Sequence, residues 1–235
     1  MQSYDFFCIY ANFIVNLQRI ICSYAKSRKM NLVFASNNAH KLTEVREIMP
    51  AGVHVLSLRE IGFEAEIEET GVTLEENSRI KAEAVYQWLK ANGQWQTIDG
   101  VFADDTGLEI DALNGKPGVY TARWSGATGP EQEVFTANRA KALRELEGKH
   151  ERGAQFRTVI TLIKNGEGTE PQVLQVEGVV RGRIATEEYG VGGFGYDPIF
   201  IPEGYDKTFG ELPAEIKNSI SHRARALEAL VKKLS

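Results

Sequence analysis

A chain of 235 residues with 43% hydrophobic and 25% charged side chains has the composition of a folded globule, large enough for one α/β domain or two small ones. Its formal net charge of −5 excludes a broad electrostatic surface for nucleic acid but leaves room for a local basic pocket. The two cysteines, Cys8 and Cys22, exclude a disulfide framework and a thiolate zinc site, so a cytoplasmic, reducing location is expected.

The chain opens on an apolar stretch from Phe6 to Val15. Asn12, Asn16, Gln18 and Arg19 interrupt it before it could span a bilayer, and no basic cluster precedes it as in a signal peptide. An interfacial helix, an extra packed helix and an extension outside the fold are the open readings. The polar break at Lys26, Arg28 and Lys29 favours the last. Residues 1–29 are therefore read as a dispensable extension and residues 30–235 as the domain, with no membrane partner.

Leu32-Val33-Phe34-Ala35 reads as a buried strand, Ser36-Asn37-Asn38 as a turn, and His40 to Met49 as a helix stopped by Pro50. Val53 to Leu56 is a second strand and Glu64 to Gly71 an acidic loop; its run of Glu64, Glu66, Glu68 and Glu69 is a solvated surface, or one of the four shares a metal with the acids of Asp104-Asp105, and spacing alone does not say which. Thr73-Leu74-Glu75-Glu76 matches a capping box, which opens a helix to about Ala91 with Gly93 as its stop. Leu74, Ile80, Ala84, Val85 and Trp88 form its apolar face, and Glu75 with Arg79 makes an i,i+4 pair. Strands near Val101 and Leu108 flank Asp104-Asp105, with Thr106-Gly107 as a turn between them. Glu131 to Leu146 is a helix. Gln155 to Lys164 and Val173 to Arg181 read as a hairpin joined through Asn165-Gly166. A glycine-dense loop from Gly190 to Pro198 precedes a short strand, Ile199 to Ile201. Ser219 to Leu234 is the final helix, with Ile220, Ala224, Leu227, Val231 and Leu234 on one face. The mixture of elements predicts an α/β fold with a mixed sheet and flanking helices.

Asp104 and Asp105 follow the apolar run Val101-Phe102-Ala103, which places two carboxylates at the carboxyl end of a buried strand, where α/β sheets hold ligands. Such a pair calls for a cation, and magnesium with a phosphate substrate is the usual answer; a solvated turn is the alternative. Ser36 to Lys41 joins a strand end to a helix start. Its free N–H groups, hydroxyl, amides and lysine suit phosphate oxygens, against a plain cap by Asn38. In Gly192 to Pro198, glycines allow a close backbone approach while Phe194 or Tyr196 could stack on a planar base; the other reading is a surface loop with aromatic anchors. Lys217, Ser221, His222 and Arg223 gather cations at a helix start, which suits an anion or an electron-rich base, or else simple solubility.

The order of these motifs resembles the inosine-triphosphate pyrophosphatase family, whose members act on noncanonical purine nucleoside triphosphates. The resemblance is carried by Ala35-Ser36-Asn37-Asn38-Ala39-His40-Lys41, Glu68-Glu69-Thr70-Gly71 with Glu76-Asn77 and Lys81-Ala82, and Ala103-Asp104-Asp105-Thr106-Gly107-Leu108. It continues through Pro117 to Arg123, Gly192 to Phe200 and Ser221-His222-Arg223, and so covers essentially all of Met30 to Ser235. Where the family often has Thr-Gly-Asn, this chain has Ser36-Asn37-Asn38; the hydroxyl is kept, and Asn tolerates left-handed backbone better than most residues.

The resemblance implies a long mixed sheet in two lobes around a central cleft, and Mg²⁺-dependent hydrolysis of ITP, dITP or XTP to the monophosphate and pyrophosphate. It implies Asp105 as proton acceptor and metal ligand, with Glu68 as the second metal ligand. Ser36, Asn37, Asn38, Ala39, His40, Lys41 and Thr106 would meet the triphosphate and sugar. Phe194, Gly195, Tyr196, Asp197, Lys217, His222 and Arg223 fill the remaining substrate positions. It also implies a homodimer. The competing readings are a pyrophosphatase of modified pyrimidine or damaged nucleotides, a regulatory nucleotide-binding module, and a nucleic-acid stacking platform on Phe194 and Tyr196, which the acidic balance disfavours.

Overall fold

A computed structural model of the chain describes residues 29–165 and 170–234. The apolar N-terminal stretch and Gly166 of the expected hairpin turn lie outside the described residues. Among the described residues seven strands form one mixed sheet, in the order β2(Val53–Leu56), β1(Met30–Phe34), β3(Gly100–Ile110), β5(Gly153–Lys164), β6(Gln172–Ile184), β7(Phe200–Pro202), with β4(Lys116–Gly118) paired to the far end of β3. β1 is parallel to β2 and β3, and the other pairings are antiparallel, including the expected β5–β6 pair. The α-helices of the described residues flank the sheet: α1(Ala39–Ile48), α2(Leu74–Ala91), α3(Glu131–Glu145), α4(Ala214–Ile220) and α5(His222–Leu234). Among the described residues no helix is long and apolar enough to cross a membrane.

The sheet is apolar on both faces, as the unbroken run in β1 requires. Leu32 and Phe34 point to one face, where they meet Phe102, Ile160 and Leu162 under α1 and α5. Val33 and Ala35 point to the other and meet Val101, Ala103 and Ile163 under α2. A third core, built on Leu108, Ile110, Phe156, Val180 and Phe200, joins the far ends of the long strands to α3. Each fully buried Leu or Phe in these layers contributes about 1.5–3 kcal/mol before entropy is counted.

The Asp pair does not sit beyond a strand end. β3 runs unbroken from Gly100 to Ile110, paired residue for residue with β5, so Thr106-Gly107 is strand and not a turn. The physical reason is that β5 is longer than the apolar run and carries β3 along. On its other edge β3 loses its partner: β1 pairs only as far as Phe102, and β4 begins at Leu108. The edge from Ala103 to Gly107 therefore opens on a gap in the sheet.

The α2 capping box forms as expected, with Glu76 N donating to Thr73 Oγ1 at 3.1 Å and Thr73 N to Glu76 Oε2 at 3.2 Å. Its buried stripe runs through Leu74, Ala82, Val85 and Leu89, so Ile80, Ala84 and Trp88 are only half-buried at its margin. Glu75 does not pair with Arg79; it reaches Arg157 on β5. The final helix is also shorter than expected. Ser221 adopts extended backbone (φ −65°, ψ 159°), separating α4, which contains Lys217, from α5. Its Oγ accepts from Ala224 N at 3.2 Å, so Ser221 caps the helix that His222 begins.

α5 lies close on β6 at Gly178, where a Cβ would stand 2.1 Å from the His222 carbonyl oxygen and 2.3 Å from Ala226 N. Both of these atoms are backbone, so they cannot swing aside. Gly178→Val should therefore cost about 1–3 kcal/mol or more of unfolding free energy in urea denaturation. An unchanged midpoint would show that α5 does not depend on this approach.

Candidate active site

A cavity of about 370 Å³ opens at the gap beside β3. The strand-to-helix junction contributes Ser36, Asn37, Asn38 and Lys41 to its lining, and β3 contributes Asp105 and Thr106. The glycine loop supplies Phe194, Gly195, Tyr196 and Asp197, and the last two helices supply Lys217, His222 and Arg223. Ser36 and Arg223, at opposite ends of the domain's sequence, thus share one hollow. Three expected residues are not in the lining. Ala39 and Glu68 are exposed, and His40, also exposed, touches the site only by stacking on Phe194 with ring centroids 5.5 Å apart.

Strand geometry explains the electrostatics. Neighbouring residues of a strand face opposite sides. Asp104 shares the face of Phe102, so it meets α1 and α5: Lys41 Nζ donates to its Oδ1 at 2.9 Å and Arg223 Nε to its Oδ2 at 3.2 Å. Burial alone would raise the Asp104 carboxyl, but Lys41 and Arg223 outweigh it and hold the group well below the usual carboxylate range. Asp105 shares the face of Ala103, so it meets α2, where Lys81 Nζ lies 3.3 Å from its Oδ1 and 2.9 Å from Glu69 Oε1. Burial pushes the Asp105 carboxyl up, and Lys81 and Lys41 reduce that shift without cancelling it. Its Oδ2 is buried with no hydrogen-bond partner.

The charges continue as an alternating belt. Arg223 also binds Glu44 of α1, and Glu44 accepts from Lys217 at 2.8 Å. Lys217 in turn donates to Asp197 Oδ2 at 2.7 Å, and the same oxygen accepts from Phe194 N at 2.7 Å. Lys217 Nζ and the Arg223 guanidinium lie 4.8 and 5.7 Å from the centroid of the Phe194 ring. Phe194 lines the mouth, with the Phe135 ring 6.3 Å from it. Tyr196, expected as an alternative stacking ring, is 4% exposed and spends its hydroxyl on the Thr121 carbonyl at 3.0 Å, which makes it an anchor.

Sequence reading missed Lys81 and Glu44 as site residues, and left open which acid of the loop, Glu69 among them, joins the Asp pair. Lys81 follows Asn77 by one helical turn on the buried face of α2, and a lysine on a buried face was the available signal. Glu44 stands one turn after His40 on α1, at a position that sequence alone reads as helix surface.

Among the described residues no three His, Cys, Asp or Glu side chains converge as a ready metal cage. The acids at hand for a cation are Asp105, with its free oxygen, and Glu69 and Glu66 of the acidic loop, which also line the cavity.

A mixed sheet opened at one edge, with lysines and arginine turned into the opening beside a half-free carboxylate, defines an α/β protein with a site for a polyanionic, ring-bearing ligand. The chain belongs to the Ham1 family, whose model matches residues 32–233. It is 49% identical over 205 residues to a dITP/XTP pyrophosphatase of Bacillus subtilis, covering 86% of this chain and 96% of that protein. It is 46% identical over 202 residues to a dITP/XTP pyrophosphatase of Flavobacterium johnsoniae, with the same shares covered. Among solved structures, the Ham1 protein of Staphylococcus aureus matches with a TM-score of 0.71 at 40% identity, covering 87% of this chain and 97% of that one. A HAM1 protein from Coxiella burnetii matches with a TM-score of 0.73 at 36% identity, covering 87% and 98%.

Burial sends the His222 imidazole well below its ordinary pKa, with Arg223 and Lys217 adding to the effect, so the folded protein keeps it neutral. The unfolded chain protonates it below about pH 6.5, so its contribution is complete above that pH and is lost as pH falls. Unfolding free energy should therefore decline from pH 7 to pH 5, with up to about 1.4 kcal/mol per unit from this residue. His222→Gln should flatten that decline in denaturant titrations, and an equal slope in both proteins would contradict a neutral His222.

Proposed function

We propose that this chain hydrolyses noncanonical purine nucleoside triphosphates (ITP, dITP and XTP) to the monophosphate and pyrophosphate, in a magnesium-dependent reaction. The observation that carries the reading is the Asp105 carboxylate, held by Lys81 through one oxygen and unpartnered at the other, in a cavity that also holds Lys41 and Phe194.

Magnesium suits this donor set, because it binds through one or two carboxylates and takes its other ligands from water and phosphate. Asp105, with Glu68 or with Glu69 beside Lys81, would hold it. When bound it neutralises triphosphate charge and makes pyrophosphate a better leaving group. The chain's own residues do the rest. Lys41 and the free N–H groups at the start of α1 receive the phosphates. Asp105, its basicity raised by burial, takes a proton from a water aligned with the α-phosphorus. The new P–O bond forms there as the bond to the bridging oxygen breaks.

Base choice follows from hydrogen-bond polarity. Arg223 and the His222 N–H offer donors, and hypoxanthine and xanthine carry a 6-oxo acceptor. Adenine presents an amino group there, which leaves buried donors unpaired, and sites of that kind discriminate steeply. Phe194 supplies a face for the base. Residues 30–235 would suffice for this activity, and the homodimer implied by the resemblance belongs to the same reading, testable by sedimentation equilibrium.

Asp105→Asn should cut turnover by a factor of about 10² to 10⁴ while ITP still binds in calorimetry. Near wild-type turnover in that variant would remove Asp105 from the chemistry. In a nucleotide panel with pyrophosphate detection, ITP, dITP and XTP should be cleaved fast and ATP and GTP slowly. Equal rates on ATP would refute the donor-pocket account, and a preference for modified pyrimidines would favour the competing enzyme reading.

A further inference from the structure

Helix α3 places Glu131, Phe135 and Arg139 at four-residue intervals, which puts them on one stripe of the helix. Each of them touches the rim of the cavity. Glu131 Oε1 accepts from Asn38 Nδ2 at 3.2 Å. The Phe135 ring lies 6.3 Å from that of Phe194. Arg139 Nη1 donates to the Gly195 carbonyl at 2.9 Å. None of the motifs that carry the family resemblance contains these three residues.

Arg139 is the most heavily committed of the three. It is 5% exposed, forms an ion pair with Glu188 (Nε to Oε1 2.9 Å, close in charge but not aligned as a hydrogen bond), and donates through Nη2 to Thr136 Oγ1 at 3.2 Å. Its guanidinium therefore joins α3 to both arms of the glycine loop, Glu188 on the way in and Gly195 on the way out. That loop is under local constraint. Gly193 and Gly195 have φ of +70° and +61°, and a Cβ at Gly193 would stand 2.1 Å from the Asp197 carboxylate. Glycine backbone so placed has many alternatives when unfastened, and the loop needs a fixed donor to hold one of them.

We infer that Arg139 is a positioning residue: it holds the glycine loop, and through it the Phe194 ring, in the pose that receives the base. The inference rests on the proposed nucleotide reading for what the pose serves, though the fastening itself does not. Arg139 touches no reacting group, so it sets nucleoside affinity and leaves the chemical step alone.

The test compares wild type with Arg139→Met, which keeps the stem but loses the donors, and with Arg139→Lys, which keeps one charged donor. Hydrogen exchange in residues 190–197 should quicken in Arg139→Met while exchange in β3 and β5 stays unchanged. KM for ITP should rise by about tenfold at near-constant kcat, the signature of lost binding shared by ground and transition states. Inhibition by inorganic pyrophosphate, which lacks a base, should not change, and Arg139→Lys should recover part of the lost affinity. Unchanged loop exchange would overturn the fastening, whatever the enzyme's substrate. Quickened exchange with unchanged KM would overturn the role in nucleoside binding. If wild type cleaves no nucleoside triphosphate, the functional reading fails, and loop exchange still decides the fastening.

Discussion

Asp104 has almost no contact with water, at 1% exposure, and a carboxylate so placed must be matched by cations or give up its charge. Lys41 comes to it from α1 and Arg223 from α5. Both cations are themselves largely buried, so each needs the carboxylate as much as the carboxylate needs them. Losing one partner of such a set leaves an uncompensated buried charge, typically a loss of about 3–5 kcal/mol. This mutual requirement orients two helices on one sheet face and points their polar groups into the same hollow. Glu44, Lys217 and Asp197 extend the pattern from the start of α1 to the glycine loop.

Strand alternation divides the work of the Asp pair. Adjacent carboxylates face opposite sides of β3, so one is consumed by the belt while the other, beside α2, keeps an oxygen free. The gap in the sheet lets both sides open on one cavity. A parallel strand that ends early, next to a long antiparallel hairpin that does not, creates that gap. It is the same logic by which open α/β sheets place ligands where the strand order switches.

Much of this was legible in the sequence. The strand at Leu32, the capping box at Thr73, the β5–β6 pair and the four motif clusters are local patterns, and local patterns survive folding. The strand-to-helix junction, glycine loop and terminal cations do meet in one cavity. The misreadings came from non-local effects. Thr106-Gly107 looks like a turn until β5 pairs through it, and Ser221 looks like helix interior until it caps α5. Glu44 looks like a surface charge because its partner Arg223 is distant in the chain, and Lys81, though on a buried helix face, gives no sign of its distant partner Asp105. The spacing of the acidic loop could not say which of its glutamates turns inward; Glu69 is half-buried beside Lys81 and the exposed Glu66 reaches the cavity's lining, whereas Glu68 does not.

The central claim is that Asp104 remains ionised because Lys41 and Arg223 hold it. The most direct test is the carboxyl carbon resonance of Asp104, followed by NMR as the folded protein is acidified. The account predicts a flat signal through the ordinary carboxylate range, until acid unfolds the chain. A titration midpoint at or above about 3.9, the value of a free aspartate, would contradict it.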